Sequence, residues 1–134
     1  MQVALSLARH AMRCGEVPVG AVVMRNGFII GYGYNQTKLR RQSYAHAEML
    51  AISMACKNIG SERLSSQSTQ LYVTLEPCMM CLGCAIESRI SQILFATKRH
   101  NSNQTTLPLH HDTTYQNEAR HLLQSFFQSK RNKH

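Results

Sequence analysis

The chain is organised around the stretch LYVTLEPCMMC, residues 71–81. Its first five residues are apolar or β-prone and predict a strand. Pro77 then opens a predicted helix over residues 79–87, because proline is favoured at the first helical position. Cys78 and Cys81 are three residues apart, so on one helical turn their thiols share a face. The positive amino-terminal end of that helix would stabilise both thiolates.

The Cys-x-x-Cys pair alone is compatible with a redox pair, half of a structural zinc site or coincidence. Cys84 repeats the spacing but shares Cys81 with the first pair, so the sequence holds no second, separate pair, which argues against a four-cysteine structural site. A thioredoxin-like redox pair would come early, after a first strand, whereas this one is late and follows proline. Upstream, His46-Ala47-Glu48 offers an imidazole and a carboxylate. Three protein ligands with an open fourth position are typical of catalytic zinc.

Length and composition indicate one basic globular domain, which we expect to cover residues 1–134. No apolar run approaches the roughly 20 residues of a membrane helix. The start of the chain lacks a secretory signal pattern, although its basic, acid-poor character also fits a transit peptide. The formal charge of +8 favours a polyanionic partner. Five cysteines, an odd number, argue against a disulfide framework and favour a reducing cytoplasm.

Hydrophobic periodicity predicts alternating strands and helices. Asn26-Gly27 is a strong signal for a two-residue hairpin turn, and the basic segment 35–44 is predicted to be a surface loop. A hairpin followed by strands alternating with helices implies an α/β fold, with a mixed sheet and helices on both faces. The predicted helices cover 2–13, 45–59, 79–87 and 118–130, and the predicted strands cover 17–24, 28–34, 70–75, 91–97 and, at an edge, 107–111.

Taken together, the motifs resemble the signature of the zinc nucleobase deaminases. His46-Ala47-Glu48 and Pro77-Cys78-Met79-Met80-Cys81 carry this resemblance. The chain is similar to bacterial tRNA-specific adenosine deaminases closely over about residues 2–97, and again at residues 122–127. Further similar segments are Gly15–Val22, Ala45–Met49, Leu71–Cys78 and Ser88–Ile90.

This resemblance implies a three-layer, cytidine-deaminase-like fold with four to five strands, and one Zn²⁺ per subunit held by His46, Cys78 and Cys81. Zinc lowers the pKa of its bound water towards roughly 7, which supplies hydroxide at neutral pH. Glu48 is implied to carry protons to ring N1 and to the departing amine while hydroxide attacks C6 of adenine. The implied activity is hydrolysis of adenosine to inosine at the wobble position of tRNA.

The resemblance also assigns the base pocket. Asn35 falls at the base-recognition position, and its amide can both donate and accept hydrogen bonds from a purine edge. A turn residue after a strand is the competing role for Asn35. Val19 is implied to wall the pocket, and the backbone around Ala47, Glu76 and Pro77 is implied to line it.

The chain departs from the family pattern after the fourth predicted strand. The family usually has Arg-Asp there, and the acid contacts ribose, whereas this chain has Lys98-Arg99-His100. Arg99 is therefore expected to hold phosphate instead. The segment before the last helix also looks shortened. That helix resembles the one that meets the anticodon loop in the family, which implies RNA contacts at Phe127, Lys130 and Arg131.

The resemblance further implies a homodimer whose interface includes residues 79–87, and an anticodon stem-loop as the partner. No membrane or DNA partner is expected. Two alternatives stay open at this stage. One is a deaminase of free bases or nucleosides of guanine or cytosine type. The other is a non-catalytic RNA-binding subunit, against which Glu48 argues, since such a subunit has no need of that acid.

Overall fold

A five-stranded mixed sheet forms the middle of the molecule in the computed structural model, which describes residues 1–65, 67–102 and 104–132. The last two residues of the predicted domain, 133 and 134, lie outside the described part. The elements in chain order are α1 (Gln2–Arg13), β1 (Gly20–Arg25), β2 (Phe28–Tyr34), α2 (Thr37–Arg40), α3 (Ala47–Ile59), β3 (Thr69–Leu75), α4 (Met79–Glu87), β4 (Gln92–Thr97), β5 (Leu109–His111), a 3₁₀ turn (Thr113–Tyr115) and α5 (Gln116–Arg131).

The strand order is β2-β1-β3-β4-β5. β1 pairs antiparallel with both β2 and β3, whereas β3, β4 and β5 run parallel. Asn26 and Gly27 join β1 to β2, and both have positive φ, at 52° and 78°. Two such residues suit the type I′ turn that matches the twist of a hairpin. Because β3 and β4 are parallel, their carboxyl ends meet at one edge of the sheet, where ligands commonly bind.

Helices cover both faces of the sheet. On one face, α3 and α4 pack their buried residues against inward residues of β1, β3 and β4, such as Val23, Leu71 and Ile93. On the other face, Leu5 of α1 and Ala119 of α5 pack with Ala96 of β4. Neighbouring residues of a strand point to opposite faces, so these two clusters form separate layers of core. The predicted three-layer α/β/α architecture is confirmed.

The prediction of a plain loop over residues 35–44 was wrong, because this segment contains the short helix α2. The buried carboxylate of Glu16 accepts hydrogen bonds from the backbone N–H groups of Lys38 and Leu39, at 3.2 and 2.8 Å. An anionic group at a helix amino terminus satisfies N–H groups that have no partner within the helix. Glu16 therefore holds this turn in place at the entrance to the site described below.

The predicted edge strand, 107–111, is shorter in the structure and begins at Leu109. Pro108 has no N–H to donate to a neighbouring strand, although its carbonyl oxygen accepts from the N–H of Ile93 at 2.9 Å. The first strand also begins later than predicted, at Gly20. Within the described residues, no helix is both long and apolar enough to cross a membrane.

Candidate active site and metal centre

Three ligand atoms converge where α3 and α4 begin. His46 directly precedes α3, Cys78 directly precedes α4, and Cys81 lies in the first turn of α4. His46 Nδ1 is 3.6 Å from Cys78 Sγ and 3.5 Å from Cys81 Sγ, and the two sulfur atoms are 3.7 Å apart. Tetrahedral zinc, with bonds of roughly 2.3 Å to sulfur and 2.1 Å to nitrogen, places its ligand atoms about 3.5–3.8 Å apart. The spacing of the three atoms therefore fits a tetrahedral metal ion.

The electrostatics of this cluster also favour a bound cation. Burial raises the pKa of the Cys81 thiol, and the neighbouring Glu48 and Cys78 raise it further. Burial lowers the pKa of His46, and the positive charge of Arg99 adds to this effect. A neutral imidazole is the form that binds a metal, and a bound cation is what converts a buried thiol to thiolate. No other cluster of three possible ligands was found among the described residues.

Glu48 lies beside the metal cluster rather than within it. It is in the first turn of α3, and its side chain is only 3% exposed. Burial raises the pKa of its carboxyl group, although hydrogen bonds and the charge of Arg99 act in the opposite direction. A carboxyl group whose pKa is raised binds a proton more readily than a free one, which suits a group that takes up and releases protons. Glu48 thus has the environment of a general acid and base.

A cavity of about 420 Å³ opens over these groups. It brings together most of the residues predicted from the sequence. Buried residues such as Val19 and Glu48 line its inner part, and the exposed Lys98 and His100, with the half-buried Arg99 between them in the chain, mark its mouth. Of the three possible metal ligands His46 lines the cavity, and Cys78 and Cys81 do not. The predicted residues Pro77, which is buried, Lys130 and Arg131 do not line it either. The lining residues are Val17, Val19, Asn35, Thr37, His46, Ala47, Glu48, Leu75, Lys98, Arg99, His100, Leu123 and Phe127.

Comparisons with known proteins agree with this chemistry. The profile of the MafB19-like deaminase family matches residues 1–131. The tRNA-specific adenosine deaminase of Aquifex aeolicus is 36% identical over 98% of this chain and 94% of its own length. The chain belongs to the tRNA-specific adenosine deaminase family. The family resemblance predicted from the sequence is thereby confirmed.

Two solved structures place this deaminase among its relatives. A tRNA:A34 deaminase, from work on A-to-I editing at the wobble position of tRNA, has a TM-score of 0.83 and 33% identity. The match covers 92% of this chain and 97% of the other. The guanine deaminase of Bacillus subtilis has 30% identity and a lower TM-score of 0.68, with coverage of 99% and 92%.

Asn35 is one of the buried residues that line the deaminase cavity. It follows β2 and is largely buried, and its backbone N–H donates to the carbonyl oxygen of Val19 at 3.0 Å. This bond ties the residue after β2 to the residue before β1. The two predicted pocket residues are therefore adjacent in space although they are far apart in the sequence.

Arg99 enters the cavity from the segment after β4. Its backbone N–H donates to Glu76 Oε1, and its Nε–H donates to the backbone carbonyl oxygen of Glu76, each at 3.1 Å. The Ser102 hydroxyl donates to the same Glu76 Oε1 at 2.9 Å. The buried carboxylate of Glu76 thus organises the backbone after β4, while the Arg99 guanidinium is held by a neutral carbonyl group.

The two phenylalanines of α5 have different environments. Phe126 is buried, and the ammonium groups of Lys38 and Lys130 lie over its ring, at 5.8 and 5.4 Å from the ring centroid. Phe127 is 46% exposed and lines the cavity. It packs edge-to-face on Phe126, with the ring centroids 5.3 Å apart. Only Phe127 therefore presents a ring to a ligand.

A second groove continues from the cavity along α5. It shares Lys98, Leu123 and Phe127 with the cavity and adds the basic side chains of Arg120 and Arg131. Sequence reasoning missed Arg120, although residues 120, 124, 127 and 131 recur at helical spacing and would have marked one face of α5. It also missed Thr37 and Leu75, whose placement depends on tertiary packing.

Proposed function

We propose that this chain hydrolyses adenosine to inosine at the wobble position, the first base of the tRNA anticodon. The observation that carries this proposal is the buried Glu48 beside a His46-Cys78-Cys81 cluster, at the base of a cavity with a basic mouth. Membership of the tRNA-specific adenosine deaminase family supports the choice of substrate. The overall charge of +8 suits a polyanionic partner.

One Zn²⁺ per subunit is held by His46, Cys78 and Cys81. When bound, zinc supplies an acidified water molecule at neutral pH. Glu48 takes the two protons of the attacking water in turn and delivers the first to ring N1 and the second to the departing amine. The C6–N bond breaks as a C6–O bond forms, so that adenosine and water give inosine and ammonia.

The base is recognised by neutral groups. The Asn35 amide reads the purine edge, because it offers both a donor and an acceptor. Val19 and the backbone of Ala47 press on the base, and Pro77 supports the turn that carries Cys78. Apolar side chains such as Val17, Val19 and Leu75 line the same cavity, which suits a base extruded from its strand.

The anticodon strand leaves the cavity along α5. Phe127 stacks on a neighbouring base, and Lys130 and Arg131 contact the RNA backbone together with Lys98 and Arg120. Stacking on an exposed aromatic ring combined with basic side chains is how single-stranded RNA is commonly held. The groove that continues from the cavity supports this path.

The deaminase is a homodimer in the cytoplasm, and residues 1–134 form one domain. Met79, Met80 and Ile86 share the outer face of α4 and are exposed in the single chain, Met79 by 72%. An apolar face of this kind, next to the site, supports a second subunit there. All five cysteines are free, which a reducing compartment maintains.

Deamination of a free base is the second candidate, favoured by the likeness to the guanine deaminase of B. subtilis. The shared metal ligands do not separate the two functions. The basic groove beyond the cavity favours RNA, since a free base has no phosphate to bind. The buried acid Glu48 disfavours a non-catalytic subunit, and no observation favours a cytosine substrate.

The test is a substrate panel with zinc-loaded protein. Inosine is measured on an anticodon stem-loop with adenosine at the first anticodon position, and ammonia is measured with adenosine, guanine and cytidine. We expect inosine on RNA and a loss of at least about 10³-fold in the Glu48→Gln variant, since proton transfer alone contributes 10²–10⁴-fold. Turnover of guanine without any turnover of RNA would overturn the proposal in favour of the second candidate.

A further inference from the structure

We propose that Arg99 forms a phosphate subsite at the mouth of the cavity and binds a phosphodiester that adjoins the target nucleoside. This inference rests on the proposed function, because it assumes that the target base is part of an RNA chain. It adds a determinant that acts at the reacting nucleotide itself, separate from the groove along α5.

The position of Arg99 is the first argument. It lines the same cavity as Asn35, His46 and Glu48. The base must lie against these groups, so its sugar and phosphates extend towards the mouth, where Arg99 stands.

The way Arg99 is held is the second argument. Within residues 1–65, 67–102 and 104–132, the one side-chain hydrogen bond of Arg99 is from Nε–H to the backbone carbonyl oxygen of Glu76, at 3.1 Å. A guanidinium has five N–H donors, and this bond uses one of them. The Glu76 carboxylate accepts from the Arg99 backbone and from Ser102 instead of pairing with the guanidinium. The contact fixes the direction of the side chain and leaves the planar fork of its terminal nitrogens for a ligand.

The charge of Arg99 is the third argument. Among the described residues the one ion pair is that of Arg9 with Glu118, so no carboxylate within 4 Å neutralises Arg99. Lys98 on one side and His100 on the other are basic residues that line the same cavity. Glu48 is the one acid in the lining, and it is buried. The mouth therefore attracts an anion, and the guanidinium fork matches phosphate oxygens in pairs.

The experiment pairs a protein variant with a change in the RNA. An anticodon stem-loop is made with a neutral methylphosphonate in place of the phosphate on the 5′ side, or on the 3′ side, of the target adenosine. Initial rates of inosine formation over a range of RNA concentrations give kcat and KM for the wild type, Arg99→Gln, Arg99→Lys and Arg63→Gln. Arg63 is exposed, beyond the far end of α3, and gives the same loss of charge away from the site.

With the wild type, we expect one of the two neutral linkages to lower kcat/KM about tenfold, or about 1.4 kcal/mol. With Arg99→Gln, unmodified RNA loses a similar factor, mainly through KM, and the same neutral linkage causes no further loss. Arg99→Lys keeps the charge without the guanidinium fork, so its kcat/KM on unmodified RNA should lie between those of the wild type and Arg99→Gln. Arg63→Gln behaves as the wild type.

Two results would overturn the proposal. In the first, neither neutral linkage lowers the kcat/KM of the wild type. In the second, the neutral linkage lowers the kcat/KM of Arg99→Gln by the same factor as that of the wild type, so that the two losses multiply. The wild-type measurements do not depend on whether any variant folds. Failure of the proposed function is seen separately, as an absence of inosine from the unmodified stem-loop.

Discussion

A methyl group added at Gly33 presses on the turn of the chain that carries the active-site acid. A Cβ atom there would lie 2.7 Å from the carbonyl oxygen of Ala47 and 2.9 Å from Cβ of Leu50. Ordinary contact begins near 3.4 Å, so the first turn of α3 must move away by about 0.7 Å. Ala47 lies between His46 and Glu48, and this movement therefore displaces the acid and one metal ligand together.

We expect Gly33→Ala to lower the free energy of unfolding by roughly 1–3 kcal/mol, the usual cost of an overpacked core. At this chain length, 1 kcal/mol corresponds to about 4 °C in Tm. A misplacement approaching 1 Å can cost on the order of 10²-fold in rate, so kcat should fall at least about tenfold in the protein that remains folded.

The assay combines thermal unfolding of the zinc-loaded protein, followed by circular dichroism, with single-turnover inosine formation. Ser53→Ala is the matched control, because Ser53 is exposed on α3 and surface substitutions usually stay within about 0.5 kcal/mol. A Gly33→Ala variant with the Tm and kcat of the wild type would refute the claim that α3 rests directly on β2 and is held there in one position.

Three further outcomes follow from the site and its supports. Cys81→Ser should lose zinc and all measurable turnover, which metal analysis and the inosine assay check. Chelation of zinc from the wild type should lower Tm, which thermal unfolding checks. An active, metal-free protein would contradict both expectations. In the metal-free chain, burial raises the pKa of Glu48, so its contribution to stability is complete below about pH 4.5 and is lost as pH rises through the raised value. Glu48→Gln should lack this loss. Urea unfolding at pH 5 and pH 7.5 measures the change in the free energy of unfolding between the two pH values, and an equal change in both proteins would show that the reasoning fails. Gly60→Ala should cost about 1 kcal/mol, because Gly60 ends α3 with φ of 79°, where a side chain is strained; an unchanged Tm would count against it.

The sequence was sufficient wherever a signal is local. Periodicity identified the helices and strands, and Asn26-Gly27 located the hairpin turn, because each rests on a few adjacent residues. The metal cluster could be predicted because each half is a short motif at a helix start. The two halves meet because α3 and α4 begin at the same edge of the sheet.

Features that depend on residues far apart in the chain could not be predicted from the sequence. The helix α2 needs the carboxylate of Glu16, which lies more than 20 residues earlier. The orientation of Arg99 depends on the backbone of Glu76. Phe126 and Phe127 are adjacent in α5, but one is buried and the other exposed because only one side of the helix meets the core. Arg120 lines the groove only because tertiary packing brings it beside Lys98.

The central claim is that water, activated in the cavity over His46, Cys78 and Cys81, replaces the amine of a tRNA adenosine with the help of Glu48. The most direct measurement is mass spectrometry of the RNA after a reaction in oxygen-18 water with zinc-loaded protein. The account predicts inosine that carries one atom of oxygen-18 at the first anticodon position, and none with Glu48→Gln. Unlabelled inosine, or labelled inosine formed equally well by Glu48→Gln, would contradict it.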